Sequence, residues 1–259
     1  MIDESYKAAL RSCMMGNPIR TRNATVRRAC GLAIDVAMTP LVGIRRTAWK
    51  SALREMEWFL SGSNAIADLH PSVQKWWRPW VDANGLIPHN YSRQFRAFGG
   101  DFDQIEYLVE SLRDHPHSRR ACATTWNARD MAAPDCPITN CHGSFIQCFV
   151  NESNCVDMMM FQRSADMVCG VPHNWIQYWA FLMWLAGRSG RGVGRFRWIG
   201  GDCHVYEEHE GIVADMLNAD VRGTPSLVYS PSGSAFRADD FALDGEYRPT
   251  LEVSAGMVV

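Results

Sequence analysis

A chain of 259 residues, 47% of them hydrophobic, is long enough for one large domain with a sizeable core. Lys+Arg (26) nearly cancel Asp+Glu (28). That leaves no field for sequence-independent nucleic-acid binding, so any phosphate is expected in a focused pocket and no nucleic acid is required as a partner. Nine cysteines without a CxxC pair, a start (Met1 to Ser5) with neither a basic nor an apolar run, and no stretch of membrane-span length predict a cytoplasmic protein with reduced thiols and no membrane partner.

The elements follow in chain order. Residues 3–15 suit a first helix, and Arg27 to Met38 reads as a strand. Thr47 to Leu60 has helical periodicity, with Trp49, Leu53, Met56 and Leu60 on one side. Phe102 to Asp114 is a further helix. Ser144 to Val150 and Val156 to Arg163 are strands joined by the turn Asn151 to Asn154. Asn174 to Ala186 is apolar enough for a buried central helix, and Gly187 to Gly194 suits a loop. Arg195 to Ile199 reads as a strand, His204 to Leu217 as a helix, and Leu227 to Tyr229 and Phe241 to Leu243 as weaker strands. With neither repeats nor a linker, residues 1–259 are expected to form a single α+β domain, a mixed sheet covered by helices.

Gln162-Arg163-Ser164-Ala165-Asp166, followed by Gly170-Val171-Pro172-His173-Asn174, gathers a guanidinium, a hydroxyl, a carboxylate and an amide. Such groups can hold a phosphate, a polar ligand and the edge of a nucleobase. Cys141 precedes His142 and a strand. A lone cysteine is most often a small buried hydrophobe. The positive charge of Arg163 would instead favour a thiolate nucleophile. Arg119-Arg120, preceded by Ser118, reads either as a solvated junction or, with Arg22 and Arg163, as a bidentate phosphate cluster. Arg45-Arg46 is a mobile cationic loop or plain surface charge.

Asn174 is either a helix N-cap or a two-sided amide matched to the O4 acceptor and N3–H donor of uracil. His204 and Tyr206 are a polar strand end, a helix start capped by Asp202, or donors to a sugar hydroxyl. Trp76, Trp77 and Trp80 are packing aromatics or a stacking surface for a flat heterocycle. Cys136, Cys141, His142, Cys203 and His204 match no zinc spacing, so no metal is expected.

Taken in order, Arg22, Arg45-Arg46, Glu55 before Trp58-Phe59-Leu60, Trp77, Trp80, Asn84-Gly85, Tyr91, Ser118-Arg119-Arg120, Cys141-His142, Gln162-Arg163-Ser164-x-Asp166, Gly170-x-Pro172-x-Asn174 and Gly201-Asp202-x-His204-x-Tyr206 resemble the thymidylate synthase family, which includes the pyrimidine hydroxymethylases. The match runs to about Glu210 and is poor beyond it. The resemblance implies a thymidylate synthase-like fold and a homodimer that packs sheet against sheet and shares its active sites.

In that scheme Cys141 adds to C6 of dUMP, and C5 attacks the methylene of 5,10-methylenetetrahydrofolate, the co-substrate. Arg119 and Arg120 of one subunit bind phosphate beside Arg22, Arg163 and Ser164 of the other, next to Gln162. Asn174 holds the uracil edge, and His204 with Tyr206 the deoxyribose 3′-hydroxyl. Asp166, Gly170, Trp77 and Trp80 face the folate, while Glu55, Tyr91 and His142 belong to the catalytic set with ordered water.

Several positions depart from the synthase pattern: Glu57 in Arg54-Glu55-Met56-Glu57-Trp58-Phe59 and the segment Ile87-Pro88-His89-Asn90-Tyr91, which look more like the T-even phage dCMP hydroxymethylase, and Asn140 before the nucleophile, His173 before Asn174, and the tail Ser254 to Val259. Each makes the site more polar or less sealed, whereas hydride transfer needs water excluded. Glu55 or Glu57 would act as general base toward water. The resemblance therefore implies a deoxyuridylate hydroxymethylase of the kind a phage uses to modify its DNA, acting in the host cytoplasm. The alternatives are a thymidylate synthase, a dCMP or CMP hydroxymethylase, and a non-catalytic homologue that binds nucleotide or RNA. Drift, with Glu57 turned to solvent and His173 satisfied within the fold, is the plain reading of the same departures.

Overall fold

The computed structural model describes residues 2–133, 136, 140–253 and 255–256. Helix α1 (Ile2–Met14) buries Tyr6, Leu10 and Cys13, which recur at helical spacing. Strands β1 (Ile19–Arg20) and β2 (Thr25–Val36) follow. Helix α2 (Trp49–Ser61) buries Leu53, Met56 and Leu60 and stops where Gly62 turns left-handed, at φ 88°.

The next segment holds short helices. In α3 (Pro71–Trp77) a proline opens the first turn and the His70 ring accepts from Ser72 N–H. Asn90 caps α4 (Tyr91–Arg96), and Asp103 caps α5 (Gln104–Asp114) by accepting from Ile105 and Glu106 N–H. Strand β3 (Cys122–Ala123) and helix α6 (Ala128–Met131) lead to the hairpin of β4 (Phe145–Val150) and β5 (Cys155–Asp166). Helix α7 (Val171–Ser189) is followed by the longest strand, β6 (Gly192–Tyr206), by α8 (Glu210–Asn218), and by the small pair β7 (Leu227–Tyr229) and β8 (Phe241–Leu243).

The main sheet has six strands in the order β1-β2-β6-β5-β4-β3. All neighbours are antiparallel except β5 and β6, which run parallel because α7 returns the chain between them. This is the expected single α+β domain with a mixed sheet flanked by helices. On β5, Val156, Met158, Met160 and Gln162 are buried while the residues between them are half-exposed, so one sheet face carries the helices. On β4, Phe145 and Phe149 stay 40% and 39% exposed. Among the described residues no helix is long and apolar enough to cross a membrane.

Three expectations are corrected. His204, Val205 and Tyr206 end β6 rather than open a helix; pairing with Arg28, Arg27 and Val26 of β2 outweighs the helix signal of the apolar residues that follow. The glycines from 187 to 194 are divided between the end of α7 and the start of β6. Asn174 is no N-cap, because Val171 and Pro172 already form the first turn of α7 and place it inside.

Candidate active site

Cys141 lies on the loop that enters β4. Two residues on, Gly143 is left-handed at φ 60°, and a Cβ there would overlap the Tyr178 hydroxyl, so the turn admits only glycine. Cys141 N–H donates to Tyr91 Oη at 2.8 Å, and the same oxygen lies 3.2 Å from Cys141 Sγ. The Tyr91 proton is thus available to the sulfur. Behind it the His142 ring stacks on Tyr91 at 4.2 Å, with its Nδ1 3.1 Å from Tyr178 Oη.

Asn140 is fully buried and donates to the carbonyls of His89 (3.3 Å) and Thr125 (3.0 Å). His89 is itself left-handed at φ 59°, a conformation uncommon outside glycine. The segment 87–91 and the nucleophile loop therefore clasp each other. Arg163 reaches in from β5, its guanidinium 5.0 Å from the Trp126 ring centre.

Burial pushes the Cys141 thiol above its ordinary range; the Tyr91 hydroxyl and the Arg163 charge pull it back. Burial also drives His142 down to about 3. That favours the neutral imidazole, whose ring props Tyr91.

A second feature is a continuous buried chain of side-chain hydrogen bonds. Trp198 Nε1 on β6 donates to Gln162 Oε1 on β5 (2.9 Å), and Gln162 Nε2 donates to Asn174 Oδ1 on α7 (2.9 Å). Asn174 Nδ2 donates to Gln177 Oε1 (3.0 Å), and Gln177 Nε2 donates to Glu55 Oε2 on α2 (2.6 Å). Trp77 Nε1 closes the far end on Glu55 Oε1 (2.6 Å). Burial lifts the Glu55 carboxyl to about 7, against the two donors that favour its charged form. Glu55 and Arg163 both act electrostatically on Cys141, so the thiol, the buried carboxyl and the Asn174 amide chain lie in one region.

Other expected residues divide. Trp77 is 4% exposed, and its Nε1 is committed to Glu55. Trp80 and Trp76 remain half-exposed, against Trp77 and the His173 ring respectively. Glu57 faces another way. Two residues along a helix turn about 200° from Glu55, and its Oε2 accepts from Ala238 N–H at 3.0 Å, away from the thiol. His173 has both nitrogens occupied, Nδ1 toward Cys169 O (2.7 Å) and Nε2 accepting from Ala48 N–H (3.2 Å). It adds no free polar group. Arg45 is buried and donates to the carbonyls of Val168 and Arg46, so it is no mobile surface charge. Arg46 is exposed and pairs with Glu252 at 2.9 Å.

At the sugar and phosphate end, His204 Nδ1 lies 3.1 Å from Asp202 Oδ1, and the Tyr206 ring meets His204 edge-on at 5.0 Å. Burial raises Tyr206 to about 12, keeping it a neutral donor. Arg22, Arg119 and Arg120 are exposed, while Arg163 and Ser164 are half-buried.

The residues expected on the folate side keep polar groups and space open. Asp166 Oδ1 accepts from Val168 and Cys169 N–H, leaving the other carboxylate oxygen clear of those bonds. A Cβ at Gly170 would stand 3.4 Å from Asn174 Oδ1, filling space beside the amide. Asp166, Cys169 and His209 bring potential ligand atoms within 4.8 Å of one another, a trio unlike the cysteines and histidines weighed for zinc. Ser254 and Met257 to Val259 of the tail lie outside the described residues.

Sequence reasoning missed Gln177, Tyr178 and Trp198. The signal was present: a glutamine three residues after Asn174 in an otherwise apolar helix has to find partners for its amide.

A family model described as thymidylate synthase matches residues 13–259, so the likeness extends past Glu210 through the segment that the motifs left unmatched. With that match over nearly the whole length, the chain belongs to the thymidylate synthase family, whose chemistry is transfer of the one-carbon unit of methylenetetrahydrofolate to C5 of dUMP.

Proposed function

We propose that the chain is a deoxyuridylate hydroxymethyltransferase that makes 5-hydroxymethyl-dUMP. The observation that carries the reading is Glu55, a buried carboxyl tuned to about 7 and within electrostatic reach of Cys141. A base poised near neutrality suits the activation of water. The Cys141 thiolate adds to C6, and C5 attacks the methylene carbon of the co-substrate. The C5 proton leaves, the carbon–nitrogen bond breaks, and N5 is protonated, giving tetrahydrofolate. Water then adds to the exocyclic methylene and loses a proton to Glu55, and the thiolate is expelled. The sum is dUMP, methylenetetrahydrofolate and water giving 5-hydroxymethyl-dUMP and tetrahydrofolate. Asn140 and His173 spend their side-chain N–H groups within the fold, so the polar character of the site rests on Glu55 and its partners.

The remaining roles follow. Asn174 reads the uracil edge, and His204 with Tyr206 hold the 3′-hydroxyl. Arg22, Arg163 and Ser164, beside Gln162, take the phosphate together with Arg119 and Arg120 of a second subunit. Asp166, Gly170 and Trp80 face the folate. A homodimer packed through the open sheet face would cover Phe145 and Phe149. A phage setting, modification of DNA, and action in the host cytoplasm suit such a product.

One turnover assay on dUMP with methylenetetrahydrofolate tests the proposal. The nucleotide product is identified by mass, and dihydrofolate by its absorbance. Thymidylate with dihydrofolate would make the protein a thymidylate synthase instead. Turnover of dCMP or CMP in preference to dUMP would overturn the base assignment. A protein that forms no covalent adduct with 5-fluoro-dUMP in the presence of the folate would be a pure binder.

A further inference from the structure

We infer that Gln177 is a positioning residue that locks the Asn174 amide in its uracil-reading orientation and ties that orientation to Glu55. The inference rests on the proposed reading of Asn174 as the base-edge contact. An asparagine amide reads uracil or, rotated by half a turn, cytosine, since the two bases present reversed donor and acceptor patterns. By itself Asn174 therefore selects neither base.

The surroundings select. Trp198 Nε1 can only donate, so Gln162 must turn its oxygen toward it. Both Gln162 Nε2 hydrogens are then used, on Ser164 O (3.2 Å) and Asn174 Oδ1 (2.9 Å). From the other end, Gln177 Nε2 is held by two groups that accept, Ala52 O (3.1 Å) and Glu55 Oε2 (2.6 Å). Gln177 must therefore present its oxygen to Asn174 Nδ2 (3.0 Å). Gln177 is 0% exposed, so no water can stand in for a lost partner. Rotating the Asn174 amide would set donor against donor at Gln162 and acceptor against acceptor at Gln177. One hydrogen of Nδ2 and one lone pair of Oδ1 are left over, the pair that uracil O4 and N3–H require. Gln177 thus does two separable things: its oxygen orients Asn174, and its nitrogen supports the charged form of Glu55.

The test measures dUMP and dCMP binding to the full-length protein, together with the pH profile of turnover. Wild type is expected to prefer dUMP by about 10³-fold or more. Gln177→Met keeps the length and removes both functions. It is expected to cut the dUMP-to-dCMP preference at least about tenfold and to move the acid limb of the profile to higher pH. Gln177→Glu keeps the acceptor toward Asn174 but sets a second carboxyl against Glu55, so the pair shares a proton; the base preference is expected to survive while the acid limb still moves to higher pH. Equal loss of both nucleotides in Gln177→Met, with the ratio unchanged, would reduce Gln177 to a packing residue. Should Gln177→Met fail to fold, loss of base preference in a folded Gln177→Glu would overturn the inference alone. A wild type indifferent to the base would instead sink the assignment of Asn174, and this inference with it.

Discussion

The two ends of the site are built in opposite ways. The end proposed to meet the base and the reacting carbon is sealed in one chain: Glu55, Gln177, Asn174, Gln162 and Trp198 hold one another, and Tyr91 holds Cys141. The end proposed for the phosphate is open, with Arg22, Arg119 and Arg120 exposed and Arg163 half-exposed. Preorganised groups act where charge develops during reaction, because nothing has to move at that moment. Cations around a dianion can be brought together on binding, with binding energy far from the chemistry used for orientation. The difference predicts that changes at the sealed end cost rate and changes at the open end cost affinity.

The largest effect is expected at the nucleophile. Cys141→Ala should lower product formation by about 10⁴-fold or more while dUMP still binds, as read by single-turnover assay and calorimetry. Retained turnover would remove the basis for treating the sealed end as the reacting one. Glu55→Gln comes next, with a loss of about 10²- to 10⁴-fold in kcat if this carboxylate handles the proton. Stability adds an independent readout. The Glu55 carboxyl is raised from 4.5 to about 7, so the fold favours its protonated form. That contribution is complete below pH 4.5 and is lost as pH rises through 7, about 3 kcal/mol in all. Glu55→Gln should flatten this part of the stability profile, measured by denaturant titration at several pH values.

At the open end, Arg119→Ala or Arg120→Ala should raise the KM for dUMP about 10- to 100-fold, the worth of one charge-assisted hydrogen bond, with a smaller change in kcat. If these arginines serve a second subunit, adding Cys141→Ala to Arg119→Ala should raise turnover at low dUMP above that of Arg119→Ala alone. A mixture no more active than Arg119→Ala alone would place the arginines in their own chain's site. Trp77→Phe should act more gently, removing one donor to Glu55 and moving the acid limb of the rate profile up by about one pH unit.

The same contrast explains what could be read from the sequence. At the open end the sequence offered arginines beside Ser118 and Ser164 as a phosphate cluster or as a solvated junction, and the structure shows them exposed or half-buried. Long periodic segments such as α2, α5 and the β4–β5 hairpin were legible as well, since their apolar spacing is set by the face they bury. At the sealed end Glu55, Tyr91, Cys141, Gln162 and Asn174 stood out as candidates, but the hydrogen-bond chain that joins them through Gln177 and Trp198 was not legible. Gln177, Trp198 and Gln162 stand far apart in sequence and meet only because α7 crosses from β5 to β6. The strand at His204 to Tyr206 stayed one of two readings, beside a helix start, for a related reason. Its pairing with β2 is long-range, while the apolar residues after it carry a local helix signal.

The smallest expected effect sharpens the boundary of the sealed region. Glu55 and Glu57 are near neighbours in sequence and the same residue type, yet only Glu55 faces the polar chain. Glu57 accepts from the backbone N–H of Ala238 and tethers the turn 238–240 to α2. Glu57→Gln keeps an acceptor there but gives up its charge, so stability should fall by no more than about 1 kcal/mol. Turnover should stay within about twofold of wild type, because a neutral surface-side change two residues from the base leaves the field at Cys141 almost unaltered. A drop in kcat comparable to that of Glu55→Gln would mean that α2 rotates during the reaction to present its other carboxylate, and the sealed end would then be a resting arrangement rather than the working one.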